Sequence, residues 1–208
     1  MDNLETRIMA SLEGRQGIFF AEDAHLPGAT LQATRFALAA LSKEGQIVRL
    51  ARGVYCKPPL EAYSKKRILP SPFEIAQAIA RRGDLLLVPD GATAAARCGL
   101  TQGTPNELTF LSTGCTRRIG LTNGKAIRLI HSAETKKFNF GSDRMRDLSN
   151  GLRWIGEARL GEPEVEAARL WLKGISEEEY EGDAGRCPEW VKTLMGELRR
   201  ENEERGNR

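Results

Sequence analysis

A chain of 208 residues with 40% hydrophobic content is long enough for one large domain or two small ones around ordinary cores. No apolar run approaches the ~18 residues of a membrane-spanning helix, and Asp2 and Glu5 break the plan of a signal peptide, so a cytoplasmic protein without membrane contact is expected. The cysteines (Cys56, Cys98, Cys115, Cys187) are scattered and the two histidines (His25, His131) lie outside any ligand spacing, which excludes a disulfide framework and a metal motif.

The N-terminal elements follow one another closely. Leu4, Ile8, Met9 and Leu12 predict an amphipathic first helix, Gly17 to Phe20 a short strand, and Ala21 to Leu26 a second helix ending at the Pro27-Gly28 turn. Thr30 is placed to cap a helix over Leu31 to Lys43, stopped by Gly45. Its period sets Leu31, Thr34, Ala37, Leu38 and Leu41 on a buried stripe. Gln32, Phe36, Ala39, Ala40 and Lys43 fall on the opposite side, with Arg35 at the boundary, where it either reaches a base or pairs with Glu22 or Asp23 and holds the module together. Small residues there permit close approach to a groove, Gln, Arg and Lys can reach base edges and phosphates, and Phe can meet a thymine methyl. Gln46 to Leu50 and Val54 to Lys57 then predict a hairpin about Ala51-Arg52-Gly53, carrying Arg49, Arg52 and Lys57. The order helix, strand, helix, helix, strand, strand is that of a winged helix-turn-helix over residues 1–60.

Lys57-Pro58-Pro59 ends the hairpin, and a basic connector with Lys65, Lys66 and Arg67 follows. Ser71-Pro72-Phe73-Glu74 is a capping box opening a helix that should bury Phe73, Ala76, Ile79 and Ala80 and stop at Gly83. Leu85 to Val88 predicts a strand, Pro89-Asp90-Gly91 a turn, and Ala92 to Cys98 a small helix. Strands are predicted at Leu108 to Ser112, Arg117 to Leu121 and Ala126 to His131, with turns at Thr113-Gly114 and Asn123-Gly124. These make a small α+β domain over 71–140. Helices at Asp143 to Gly156, Glu162 to Leu172 and Pro188 to Glu204 form a helical C-terminal region over 141–208, with a short acidic turn opened by Ser176-Glu177-Glu178-Glu179.

Charge separates the two ends. Between Gly28 and Pro70 eight Lys/Arg face two acids, whereas 141–208 carries twelve Lys/Arg and sixteen Asp/Glu, so the first 140 residues are +7 and the tail −4 in a chain of net charge +3. A cationic block on a reading module points to phosphate neutralisation, hence double-stranded DNA; Lys65, Lys66 and Arg67 extend it. The acidic tail suits packing, dimerisation or docking of a partner protein. Chemistry is not signalled: Gly120 to Ala126 has three residues between its glycines where a phosphate loop has four, and Ala126 where the hydroxyl belongs. No nucleophile elbow, zinc-protease pair or dinucleotide fingerprint occurs, so neither catalytic residue, cofactor nor metal is expected.

The run Gln46-Ile47-Val48-Arg49-Leu50-Ala51-Arg52-Gly53-Val54-Tyr55, after Leu38 to Gly45, resembles the N-terminal winged helix of the AbiEi-type antitoxin family and its short relatives. Pro72 to Ala76, Pro89-Asp90-Gly91, Gly99-Leu100-Thr101 and Leu108 to Gly114 are similar to that family's following domain. The resemblance spans most of residues 1 to 140. It implies an autorepressing bacterial regulator that binds promoter inverted repeats, as a homodimer on DNA, in a toxin-antitoxin or phage-defence locus whose toxin is nucleotidyltransferase-like. Carried onto this chain, the DNA-facing residues are Gln32, Arg35, Phe36, Lys43, Arg49 and Arg52. Two other classes stand beside repression: a ligand- or partner-sensing regulator of a mobile element without a cognate toxin, marked by an apolar pocket in the middle domain, and an enzyme acting on nucleic acid, marked by a carboxylate cluster or metal.

Overall fold

In the computed structural model, which describes residues 3–15, 17–58 and 68–206, α1 (Leu4–Ser11) opens on Asn3, whose side chain accepts from Glu5 N–H at 2.7 Å. The chain continues through β1 (Gly17–Phe20) to α2 (Leu31–Lys43). Ala21 to Leu26, expected to be helical, is a run of turns instead. Asp23 N–H donates to Phe20 O and His25 N–H to Glu22 O, each three residues back. Pro27 and Gly28, the latter at φ +85°, turn the chain before an i to i+4 ladder can form.

Thr30 caps α2 by accepting from Ala33 N–H at 3.1 Å, and Gly45 takes up φ +77° just past its end. Thr34, Ala37, Leu38 and Leu41 are buried, while Leu31, expected beside them, is half-buried at the helix start. The apolar members of this face pack with Ile8, Leu12, Phe19, Ile47 and Tyr55. Each fully buried Leu or Ile in such a cluster contributes about 1.5–3 kcal/mol relative to exposure. Strands β2 (Val48–Ala51) and β3 (Val54–Lys57) join through Arg52 and Gly53, with Gly53 at φ +75°. The sheet order is β1-β3-β2, so β3 is central, and Phe19 stacks on its partner Tyr55 with centroids 5.9 Å apart. Between Arg49 and Ala51 the register of β2 on β3 shifts, a bulge at Leu50.

Helix α3 (Pro72–Arg82) begins with the expected box: Ser71 N–H donates to Glu74 Oε2 at 2.7 Å and Glu74 N–H to Ser71 Oγ at 3.2 Å. Its buried face is Ile75, Ala76, Ala78, Ile79 and Ala80, with Phe73 only half-buried. Next come β4 (Leu87–Pro89), α4 (Ala92–Arg97), β5 (Glu107–Ser112), β6 (Arg117–Gly120) and β7 (Ala126–His131). The second sheet runs β4-β5-β7-β6. The apolar β5 and β7 are central and β6, with exposed Arg117 and Arg118, forms an edge, where charged side chains discourage pairing with another chain.

Four helices follow: α5 (Asp143–Ile155), α6 (Glu162–Leu172), α7 (Glu177–Ala184) and α8 (Glu189–Gly206). The Ser176 segment, expected as a turn, propagates into the full helix α7. Met145, Leu148, Leu152, Ala168, Leu172, Val191, Met195 and Leu198 share one buried cluster. Two carboxylates of the acidic region bond to the start of α5. Asp183 accepts from Gly141 N–H at 2.9 Å and Ser142 N–H at 2.7 Å, and Glu179 accepts from Ser142 Oγ at 2.8 Å, tying α7 to the start of α5. Among the described residues the chain is thus a mixed α+β structure with eight α-helices and two small sheets. Contacts divide it into two compact units: Met1–Arg82 with Arg118–Ile127, and Gly83–Arg117 with Arg128–Arg208.

Candidate nucleic-acid interface

The outer face of α2 follows from its period: with Leu38 and Leu41 turned inward, Gln32, Arg35, Phe36, Ala39 and Lys43 are exposed. Phe36 is 68% exposed, the most open of the large apolar side chains among the described residues. Gln32 and Phe36 are four residues apart and so share one surface, with Lys43 two turns further on. Ala39 leaves the middle of that surface low.

Arg35 is not a solitary cation. Its Nη2 lies 3.1 Å from Glu22 Oε1, Glu22 Oε2 lies 3.3 Å from Arg82 Nη2, and Arg82 Nη1 reaches Asp23 Oδ1 at 2.9 Å. The Arg82 guanidinium also covers the Phe20 ring at 4.4 Å. The Glu22 carboxyl is held below its ordinary range, first by a bond to its own backbone and then, against partial burial, by Arg35 and Arg82. Of the two acids the sequence offers as partners for Arg35, Glu22 takes that place and Asp23 pairs with Arg82 instead; Arg82 is 59 residues from Asp23, and no local pattern marks that pair.

On the hairpin, Arg49 and Arg52 are exposed, and Arg49 Nε donates to Ala51 O at 3.4 Å. Lys57 is half-buried on the central strand opposite Gly17, at the end of the hairpin away from Arg52. Lys65, Lys66 and Arg67 lie outside the described residues. Gln32, Arg35, Phe36 and Lys43 are therefore gathered on one helix surface, Arg49 and Arg52 on one hairpin, and Lys57 stands apart from that hairpin's tip.

The second unit holds a buried charge cluster. Asp147 is fully buried; Arg97 Nη1 contacts one of its oxygens and Arg146 Nη2 the other at 3.3 Å. Burial outweighs both guanidinia and pushes the carboxyl up to about 6. Burial, with Asp147 adding to it, also raises the Cys98 thiol, which leaves it an inert apolar group. Among the described residues no group of three or more His, Cys, Asp or Glu is arranged to hold a metal ion, and no helix is long and apolar enough to cross a membrane.

A family model described as "Family of unknown function (DUF6088)" matches residues 7–179. No curated protein matches the chain. Among solved structures it is similar to the crystal structure of RV2827C protein from Mycobacterium tuberculosis, with 15% identity and a TM-score of 0.49 over 95% of this chain and 76% of that one.

Proposed function

The chain belongs to DUF6088, a family of unknown function, and we propose that it is a transcriptional regulator that binds double-stranded DNA through an N-terminal winged helix-turn-helix. One observation carries this reading: the exposed surface of α2 has Phe36 at its centre, 68% open to solvent, beside Gln32 and Lys43. A merely solvated helix face gains nothing from an exposed phenyl ring. A helix lying in a major groove gains a contact for a thymine methyl, with Gln for adenine and Lys for phosphate or guanine. The low Ala39 and the exposed Arg49 and Arg52 on the adjoining hairpin support it, because the first allows close approach and the second supply phosphate contacts.

The similarity of this segment to AbiEi-type antitoxins supports a narrower form: an autorepressor that binds inverted repeats in its own promoter as a homodimer. In that form its functional counterpart is a nucleotidyltransferase-like toxin.

Selection of sites from random duplex DNA tests the reading. The wild-type protein is expected to enrich a defined motif, and Gln32→Ala and Phe36→Ala to relax one or two positions of it, each contact being worth about 1–3 kcal/mol of discrimination. No enrichment by the wild type, or the same motif from both variants with only a uniform loss, overturns it.

A further inference from the structure

The turn at Thr122–Lys125, between β6 and β7, lies against the edge of the N-terminal hairpin. Ala51 and Leu121 form an antiparallel bridge. Thr122 N–H donates to Leu50 O at 2.9 Å, and Thr122 Oγ1 donates to Arg49 O at 2.8 Å and Leu50 O at 3.3 Å. The register shift in β2 falls at these same residues, where a local disruption of the ladder leaves backbone groups for partners outside it. Both partners belong to the first compact unit.

The joined segment has the make-up of a polyanion contact. From Arg117 to Arg128 the sequence contains no acid. Thr122, Asn123 and Gly124 are exposed and Lys125 is half-buried, with Leu121 as the buried anchor. The turn closes without help from the Lys125 side chain: Leu121 N–H donates to Lys125 O at 2.9 Å, Gly124 N–H to Leu121 O at 3.2 Å, and Lys125 N–H to Asn123 Oδ1 at 3.1 Å. Neither the fold of the turn nor its attachment calls for a lysine there. A cation at the end of a turn that is bonded to the very residues that precede Arg52 is placed for a phosphate, since little loop freedom remains to be lost on binding.

We propose that the β6–β7 turn is a second DNA-backbone contact, lying beside the β2–β3 hairpin and placing Lys125 on a phosphate of the same duplex. This rests on the DNA-binding reading given above. It enlarges the footprint from one hairpin tip to two, drawn from segments some 70 residues apart in the chain.

Binding of the full chain to its selected duplex, followed across salt concentrations, tests the proposal with wild type, Arg52→Ala, Lys125→Ala and Lys125→Arg. Lys125→Ala is expected to weaken binding about three- to tenfold for all sequences alike and to reduce the salt slope by about one, with Lys125→Arg restoring both and all four proteins melting together. If Arg52→Ala weakens binding while Lys125→Ala matches wild type in affinity and slope, the second contact is wrong and the DNA-binding reading stands. If the wild type binds no duplex, both fall.

Discussion

Arg35 is engaged by its own module: its Nη2 donates to Glu22 Oε1 at 3.1 Å, so a cation of the outer face of α2 is neutralised by the turn that precedes the helix. The two side chains are 56% and 41% exposed, and a pair so open is worth under about 1 kcal/mol after solvent screening. Its consequence is therefore electrostatic more than structural. With the Glu22 carboxyl held below its usual range, the pair persists into more acidic solution than an ordinary glutamate would allow. Glu22→Gln should leave the melting temperature within a few degrees of wild type and raise DNA affinity about two- to fivefold, because a negative charge leaves the face and the guanidinium is released. Fluorescence anisotropy with a labelled duplex measures this; weaker binding by the variant would mean that Glu22 aims Arg35 and does not withhold it.

Arg52 stands in a turn closed by Gly53 and is exposed, so its removal disturbs little of the fold. Arg52→Ala should weaken binding to specific and random duplexes by the same factor and flatten the salt dependence by about one contact. A loss confined to one sequence would make Arg52 a base reader.

Gly151 in α5 is a packing requirement. A Cβ there would lie 2.9 Å from Leu100 Cδ1 and 3.0 Å and 3.1 Å from the backbone Cα and N of Ala95. Alanine favours a helix over glycine by about 1 kcal/mol, but overpacking against backbone that cannot yield costs about 1–3 kcal/mol. Gly151→Ala is expected to destabilise by up to about 2 kcal/mol net in urea unfolding. Gly182→Ala in α7, where nothing lies within 4 Å, should stabilise by up to about 1 kcal/mol. Equal effects at the two positions would refute the close approach of α4 and α5.

Asp147 sets a pH dependence of opposite sign to that of most paired carboxylates. Its folded-state pKa of about 6 lies above the ordinary 3.8, so between these values the folded chain holds a proton that the unfolded chain releases. Stability from this group is complete below about pH 4, declines as pH rises, and is lost above about pH 6. Carbon-detected NMR of the Asp147 carboxyl should titrate near 6, and wild type should lose stability relative to Asp147→Asn across the same window. A midpoint under 4 would show that Arg97 and Arg146 outweigh burial.

The sequence by itself determined the elements whose causes are local. Thr30 and Gly45 bound α2, Ser71 and Glu74 start α3, Gly53 and Asn123-Gly124 turn their hairpins, because caps and positive-φ glycines act within about four residues. The α2 surface bearing Gln32, Phe36 and Lys43 was legible for the same reason: a helical period fixes which side turns outward once Leu38 and Leu41 turn inward. Where local signals are weak they misled. Ala21 to Leu26 has helical composition but no room for a second turn before Pro27, and the Ser176 cap opened a helix where only a turn was read. Only the tertiary structure decided the rest: that β7 lies beside β5, that Thr122 meets Arg49, that Arg82 joins Glu22 and Asp23 and that Asp147 is buried between two arginines. The first is a competition among strands for the buried middle of a sheet. The Arg82–Asp23, Arg97–Asp147 and Thr122–Arg49 pairings join groups 50 to 73 residues apart in the chain, contacts that form only once packing brings distant elements together and that therefore leave no periodic trace in the sequence.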